Sequence, residues 1–180
     1  GQFAQFTGRE RSIVPPFTLY RRVALDATGG GDERFITTQD SELNLRLEGE
    51  GGTLWRSDAS HCRMAKRTTI GGWLKFGHRY GFWRTKIVLR HPRRISLREY
   101  APWFGAILTA VLYSLSSDYW IIPTMMYGVV LLAEALRSSI KNRRISLLLG
   151  IPICLIMLHT SFSIGLVDGL IRKGRESSDR

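Results

Sequence analysis

Apolar positions along this chain follow two different patterns. Up to about residue 100 they occur in short stretches separated by polar residues and glycines, which predicts short strands and helices with one buried face. Beyond that point the chain is almost continuously apolar, in three segments that cover Ala101–Ser117, Tyr119–Leu136 and Ile145–Ile171. Segments of this length and composition predict helices that cross a membrane. The third segment, with internal glycines and a proline, leaves open whether it spans, kinks or lies at the interface.

The polar half predicts one clear helix and several shorter elements. Leu43 and Leu47 lie four residues apart behind two acidic residues that favour a helix start, so a helix is expected over Thr38–Glu48. Thr37 or Thr38 is its expected cap. The shorter elements are strands at Phe17–Tyr20 and Thr53–Ser60 and a helical turn at Arg21–Ala27.

Charge changes at the same boundary as hydropathy. Residues 1–100 carry 18 Lys or Arg and 10 Asp or Glu, whereas residues 101–171 carry seven charged side chains in 71 positions. This contrast excludes a single water-soluble globule and a disordered chain. The two cysteines lie in different halves, which argues against a disulfide framework and fits a domain facing a reducing compartment. The chain starts at Gly1 with no signal peptide before the polar half, which suggests that a segment has been removed upstream or that the sequence is partial.

The basic residues predict the orientation in the membrane. They cluster before Ala101 and again between Arg137 and Arg144, while the turn between the first two apolar segments carries only Asp118. Both basic clusters should therefore face the cytoplasm, with Asp118 on the far side. We expect a multi-pass protein of the cell membrane whose polar half is cytoplasmic.

One carboxylate in the polar half stands out as a candidate catalytic group. Asp40 opens the predicted helix after a loop that contains Gly29-Gly30-Gly31, and a carboxylate in such a place can accept a proton from a substrate hydroxyl. Asp40 and Glu42 are two residues apart, so they point in different directions and do not form an acid–base pair. Spacing alone favours the simpler interpretation that Asp40 stabilises the helix start.

A longer pattern around Asp40 resembles the second half of the catalytic domain of family 2 glycosyltransferases. The matching residues are Gly29-Gly30, Asp32-Glu33, Gln39-Asp40, Glu42-Leu43, Arg46-Leu47 and Gly51-Gly52. Downstream, the segment Trp73–Pro102 with its RYG-aromatic-Trp element resembles the membrane-anchored succinoglycan-type branch, as does His159–Leu170 near the end of the chain. The order of these elements along the chain makes the resemblance fairly specific.

The resemblance implies a fold and a domain organisation. It implies an α/β fold: the C-terminal part of a GT-A-like nucleotide-sugar transferase domain, followed by transmembrane helices. The expected division is residues 1–85 for the acceptor side of the catalytic domain and 86–100 for a basic amphipathic interfacial helix, then 101–171 for the membrane region and 172–180 for a polar tail. The implied function is inverting transfer of a sugar from a nucleotide-sugar donor to a lipid-linked or polysaccharide acceptor.

The resemblance also assigns roles to individual residues. Asp40 matches the catalytic base, and Arg79 and Tyr80 match an Arg-aromatic pair near the donor diphosphate and the acceptor. Gln39 and Trp83, beside these positions, are further candidate substrate-binding residues. The chain departs from the family pattern at Phe76, where many relatives have Gln, at Gly31, which replaces Phe, and at Gln39, which replaces Glu. A divalent metal, Mg or Mn, is implied by the family, but the chain has no convincing D-x-D motif to bind it.

Other functional classes fit the sequence less well. The basic, aromatic stretch from Arg56 to Arg98 could contact nucleic acid, but anionic lipid headgroups explain its charge beside membrane segments, so no nucleic-acid partner is expected. His61 and Cys62 have no further ligands nearby for a metal. Glu134 and Asp168 raise a transporter hypothesis, for which an interfacial ion pair of Glu134 with Arg137 is the simpler alternative. A non-catalytic membrane adaptor with a glycosyltransferase-like segment is the main alternative to an enzyme.

Overall fold

The structure is a computed structural model that describes residues 9–11, 18–57, 68–95 and 97–172. These residues are largely helical, with two short strands near the start. The elements are β1 (Arg9–Arg11), α1 (Arg22–Thr28), α2 (Gln39–Gly49), β2 (Trp55–Ser57), α3 (Ile70–Arg90), α4 (Leu97–Ser114), α5 (Ile121–Asn142) and α6 (Leu147–Ile171).

The expected α/β fold of GT-A type is wrong for this chain. β1 and β2 have three residues each and pair antiparallel, with Glu10 opposite Arg56. Residues 18–20 of the strand expected at Phe17–Tyr20 join no sheet, and residues 58–60 of the other expected strand lie outside the described residues. A parallel sheet needs several strands joined by helical crossovers, and the described ranges contain no such unit.

The helix predicted at Thr38–Glu48 is confirmed as α2, and the helical turn at Arg21–Ala27 as α1. The expected capping of α2 is wrong. Thr38 occupies the cap position, but its side chain makes no capping hydrogen bond, and its φ of 65° is strained for a β-branched residue. The first N–H groups of α2 are therefore not satisfied by this threonine.

The expected single interfacial helix over residues 86–100 is divided in two. α3 continues to Arg90, a short 3₁₀ turn follows at Pro92–Arg94, and α4 begins at Leu97. Pro92 explains the break, because it has no N–H to donate and its ring disfavours helical backbone at the residue before it.

The apolar half forms three consecutive helices, α4 to α6. Two helical stretches, Asp118–Asn142 and Leu147–Ile171, are long and apolar enough to cross a membrane. They correspond to the second and third segments predicted from the sequence. The first predicted segment lies in α4, which begins four residues before Ala101 and ends at Ser114, and α4 is not among the candidate spans.

A small aromatic core joins α3 to the segment before α2. Phe82 and Ile87 of α3 are fully buried, and together with Trp83 they pack against Phe35. Two partly buried residues, Ile36 and Leu45, pack against this cluster. Burial of large apolar side chains stabilises the contact between the two parts of the chain.

The opposite face of α3 packs along α6. Trp73 Nε1 donates to the carbonyl of Cys154 at 3.1 Å, and Thr85 Oγ1 donates to the carbonyl of Leu166 at 3.0 Å. Contacts advance in the same direction along both helices, so the two helices are parallel. Glycines allow the close approach: a Cβ on Gly165 would lie 2.0 Å from a backbone oxygen of α3. Small residues serve the same purpose where membrane helices pack closely.

Candidate functional site

The start of α2 presents Asp40 at an accessible position. Asp40 is the second residue of the helix, its side chain is exposed, and its Oδ1 accepts a hydrogen bond from the N–H of Ser41 at 2.8 Å. Gln39 beside it is also exposed. A helix N-terminus carries partial positive charge, so an acidic side chain there stabilises the helix. Asp40 is therefore placed to meet a ligand from solvent.

A buried polar pair lies close to Asp40. Asn44, one helical turn beyond Asp40, is fully buried, and its Oδ1 accepts a hydrogen bond from the Tyr20 hydroxyl at 2.8 Å. Burial raises the pKa of Tyr20, and the negative charge of Asp40 raises it further, against a hydrogen bond with Thr18 that lowers it. Tyr20 therefore stays protonated and donating. The amide nitrogen of Asn44 has no hydrogen-bond partner in the part of the chain that the structure describes.

Below the helix start, Arg46 anchors the glycine-rich loop to α2. Its guanidinium forms a bidentate ion pair with the fully buried carboxylate of Glu42, at 2.9 Å from both Nε and Nη2. The same guanidinium donates to the carbonyl of Thr28 at 2.5 Å and to that of Gly30 at 2.7 Å. A planar guanidinium can make these four bonds together because its donors are fixed in a fork.

A second set of ion pairs joins this loop and α2 to the end of α3. Asp32 pairs with Arg34 at 2.8 Å and with Arg90, whose Nε also lies 3.3 Å from Glu42 Oε1. The Arg34 hydrogen bond, with a smaller contribution from Arg90, holds the pKa of Asp32 well below its usual range. A lowered carboxyl pKa means that these pairs persist as the pH falls below 4 and are lost only in stronger acid.

We call these six side chains the ionic cluster. Its members are Asp32, Arg34, Glu42, Arg46, Arg90 and His91, the last with Nε2 at 3.5 Å from Glu42 Oε1. Asp32, Glu42 and Arg46 all belong to the glycosyltransferase-like motif, but the motif does not indicate that they are paired. The four-residue spacing of Glu42 and Arg46 could have indicated their ion pair. No sequence signal connects Arg90 to Asp32, which lies 58 residues earlier.

The predicted residues of α3 occupy different environments. Trp83 is only 4% exposed and packs against Phe35 with ring centroids 5.5 Å apart, so its indole is part of the core. Arg79 lies one helical turn before Trp83 on the same face and is partly buried. Tyr80 is 38% exposed and lies against Phe76 at 5.4 Å.

Arg79 differs from the arginines of the ionic cluster because no carboxylate among the described residues pairs with it. It makes no hydrogen bond or ion pair with any residue in the described ranges, and it is not joined directly to Asp40 there. A partly buried guanidinium without a protein carboxylate is suited to a ligand anion such as a phosphate. The structure thus places Asp40 and Gln39 together at the start of α2. Arg79 lies on the face of α3 that contacts Phe35, and Phe35 is four residues before Gln39 in the sequence.

The residues present do not form the metal site that the family resemblance implies. Within the described ranges, no group of three or more His, Cys, Asp or Glu side chains is placed to hold a metal ion. Asp32, the nearest acidic candidate to the glycine-rich loop, is held by two arginines. His61 and Cys62 lie outside the described residues. We therefore derive no chemical step through a metal.

Comparison with curated proteins finds one informative similarity. The chain is 32% identical over 121 residues to the succinoglycan biosynthesis protein ExoA of Rhizobium meliloti (strain 1021). The match covers 62% of this chain and 36% of that protein, so the chain spans about a third of its relative's length. No established family pattern matches the chain, and no solved structure does. The similarity agrees with the succinoglycan-type resemblance recognised from the sequence motifs.

Proposed function

We propose that this chain supplies the acceptor side of a membrane glycosyltransferase of polysaccharide biosynthesis. The observation that carries the proposal is Asp40, an accessible carboxylate at the start of a helix that the ionic cluster fixes to both the glycine-rich loop and α3. Similarity to a succinoglycan biosynthesis protein supports the substrate class. The donor is a nucleotide sugar, and the acceptor is a hydroxyl of a lipid-linked or polymeric glycan.

The proposed reaction is a single displacement at the anomeric carbon of the donor. Asp40 accepts the proton of the acceptor hydroxyl as the oxygen attacks that carbon, and the bond to the diphosphate breaks on the opposite face. One displacement inverts the configuration. Negative charge develops on the departing diphosphate, and the Arg79 guanidinium stabilises it.

The other candidate residues support this reaction in different ways. Gln39 and Tyr80 are exposed and can donate hydrogen bonds to sugar hydroxyls. Trp83 acts by position, because its buried indole fixes the register of α3 against Phe35 and thereby the position of Arg79. The buried Tyr20–Asn44 pair supports the helix face that carries Asp40.

The proposal is tested by transfer in membranes that contain the protein. Membranes are incubated with a panel of radiolabelled nucleotide sugars, and label is counted in the lipid and polysaccharide fractions. Incorporation from one donor above that of membranes lacking the protein is the expected result. Absence of incorporation from every donor, with the folded protein present, would favour the non-catalytic membrane adaptor.

Arg79→Lys is expected to reduce transfer about tenfold or more although it keeps the positive charge. Lysine lacks the planar fork that binds two phosphate oxygens together. The matched control is Arg93→Lys, an exposed arginine in the turn between α3 and α4, which should leave transfer nearly unchanged. Transfer rates at saturating donor are compared among the three proteins. Equal losses at both positions would contradict the specific role of Arg79.

The proposed location is the cell membrane, with α5 as a span between its two sides. α4 and α5 follow one another closely, with Tyr113 of α4 against Trp120 at a centroid distance of 6.0 Å. Basic residues surround the other end of α5, where Lys141 and Arg143 lie. Under the positive-inside rule, this end is cytoplasmic and Asp118 is on the far side.

Cysteine labelling tests this orientation. In a protein with Cys62 and Cys154 replaced by serine, a cysteine at position 118 should react with an impermeant thiol reagent added to intact cells. A cysteine at position 142 should react only after the cells are permeabilised. Labelling at position 142 in intact cells, with position 118 protected, would reverse the proposed orientation.

A further inference from the structure

A groove between α3, α4 and α6 lies apart from Asp40 and has no role in the proposed transfer. Its volume is about 510 Å³, and it opens toward the C-terminal end of α6. One part of its lining is apolar and another part is charged. The residues that matter are Ile164, Val167 and Ile171 on the apolar side, and His78, Asp168 and Arg172 on the charged side, with Trp103 of α4 at the edge.

The charged part of the groove has an oriented cation. Asp168 accepts from Arg172 Nε at 2.6 Å and lies 3.2 Å from His78 Nε2, so it holds both side chains in place. The terminal nitrogens of Arg172 have no hydrogen-bond partner among the described residues, and the side chain is 57% exposed. Lys86 donates to the backbone carbonyl of Arg172 and adds a second cation. The charges of Arg172, Lys86 and Asp168 sum to +1.

The apolar part of the groove is continuous with the outer surface of a candidate membrane helix. Ile164, Val167 and Ile171 are three and four residues apart on α6, so they form one stripe. They are 57%, 42% and 76% exposed. α6 is long and apolar enough to cross a membrane. The stripe therefore offers a surface to an acyl chain, and it ends where Arg172 begins the polar region.

We propose that this groove binds one anionic phospholipid. The phosphate oxygens contact the terminal nitrogens of Arg172, and an acyl chain lies along Ile164, Val167 and Ile171. Trp103 lies between the phosphate and the acyl chain, which corresponds to the membrane–water interface that amphipathic aromatic rings prefer. A free anion would leave the apolar stripe uncovered, and a zwitterionic headgroup would bring its own cation close to Arg172. The inference does not depend on glycosyl transfer.

Trp103 provides the reporter for a direct test. The protein is reconstituted in two series of nanodiscs, one with increasing fractions of brominated phosphatidylglycerol and the other with increasing fractions of brominated phosphatidylcholine. The contribution of Trp103 to the fluorescence is taken as the difference between the wild-type protein and Trp103→Phe. Phosphatidylglycerol should quench it at about fivefold lower lipid fraction, the preference expected from one arginine near an anionic headgroup.

Two variants decide whether the groove causes this preference. Arg172→Gln should remove the difference between the two lipids. Lys141→Gln, which removes an exposed cation at the end of α5, is the matched control and should retain it. Equal quenching by the two lipids in the wild-type protein would overturn the proposal, as would an unchanged preference in Arg172→Gln. Release of quenching by soluble glycerol 3-phosphate would also overturn it, because the site would then bind a free anion.

Discussion

Asp40→Asn is expected to lower the rate of sugar transfer by roughly 10²-fold or more, the range typical for loss of a general base. Asparagine keeps the shape of the side chain but cannot accept the proton of the acceptor hydroxyl. The start of α2 should survive, because asparagine is well tolerated near helix N-termini. Membrane insertion and helix content should therefore stay as in the wild-type protein. The measurement is the initial rate of transfer in membranes with matched protein content.

The matched control for Asp40 is Glu48→Gln near the other end of α2. It removes a carboxylate from the same helix without touching the proposed site, so its transfer rate should stay within about twofold of the wild-type rate. Near-normal turnover in Asp40→Asn would contradict the assignment of Asp40 as the catalytic base. It would favour the simpler interpretation that Asp40 only stabilises the start of α2.

Gly165→Ala is expected to separate α3 from α6 and to destabilise the protein by about 2 kcal/mol or more, as overpacking of a close contact does. The added Cβ would lie 2.0 Å from the carbonyl oxygen of His78 and 2.9 Å from the backbone nitrogen of Phe82. Both are backbone atoms of α3, so no side chain can rotate away to relieve the clash. Unfolding in mixed micelles with increasing sodium dodecyl sulfate measures the loss.

Gly150→Ala is the matched control in the same helix. A Cβ at Gly150 meets nothing within 4 Å, and alanine is the better helix former, so stability should stay the same or rise slightly. If the two variants are equally stable, the close packing of α3 on α6 does not exist in solution. A selective loss in Gly165→Ala should also reduce transfer, because α3 carries Arg79.

α3 is the element through which these two predictions are linked. One of its faces contacts Phe35 and the ionic cluster, and the other contacts α6 along the glycine positions. A displacement of α6 would therefore move Arg79 and the residues that anchor α2. This connection gives the membrane region a physical means of positioning the proposed site.

Several features of the protein followed from local sequence patterns. The helix at α2 was predicted to within one residue because spacing of Leu43 and Leu47, acidic residues at its start and glycines at its end all act locally. The two candidate membrane helices followed from long apolar runs, since hydrocarbon thickness sets the length of a span. The succinoglycan-type resemblance followed from motifs in order along the chain, and the later comparison agrees with it.

What the local patterns missed depended on contacts between distant residues. The predicted α/β fold failed because strand formation requires partners, and the described strand-like stretches contribute a single three-residue pair. The pairing of Arg90 with Asp32, the burial of Trp83 against Phe35 and the close approach of Gly165 to α3 each join residues far apart in sequence. Periodicity reports which face of a helix is apolar, but not which element covers it. Tertiary packing determines which element covers that face. It therefore also determines the position of Arg79 and the groove beside Arg172.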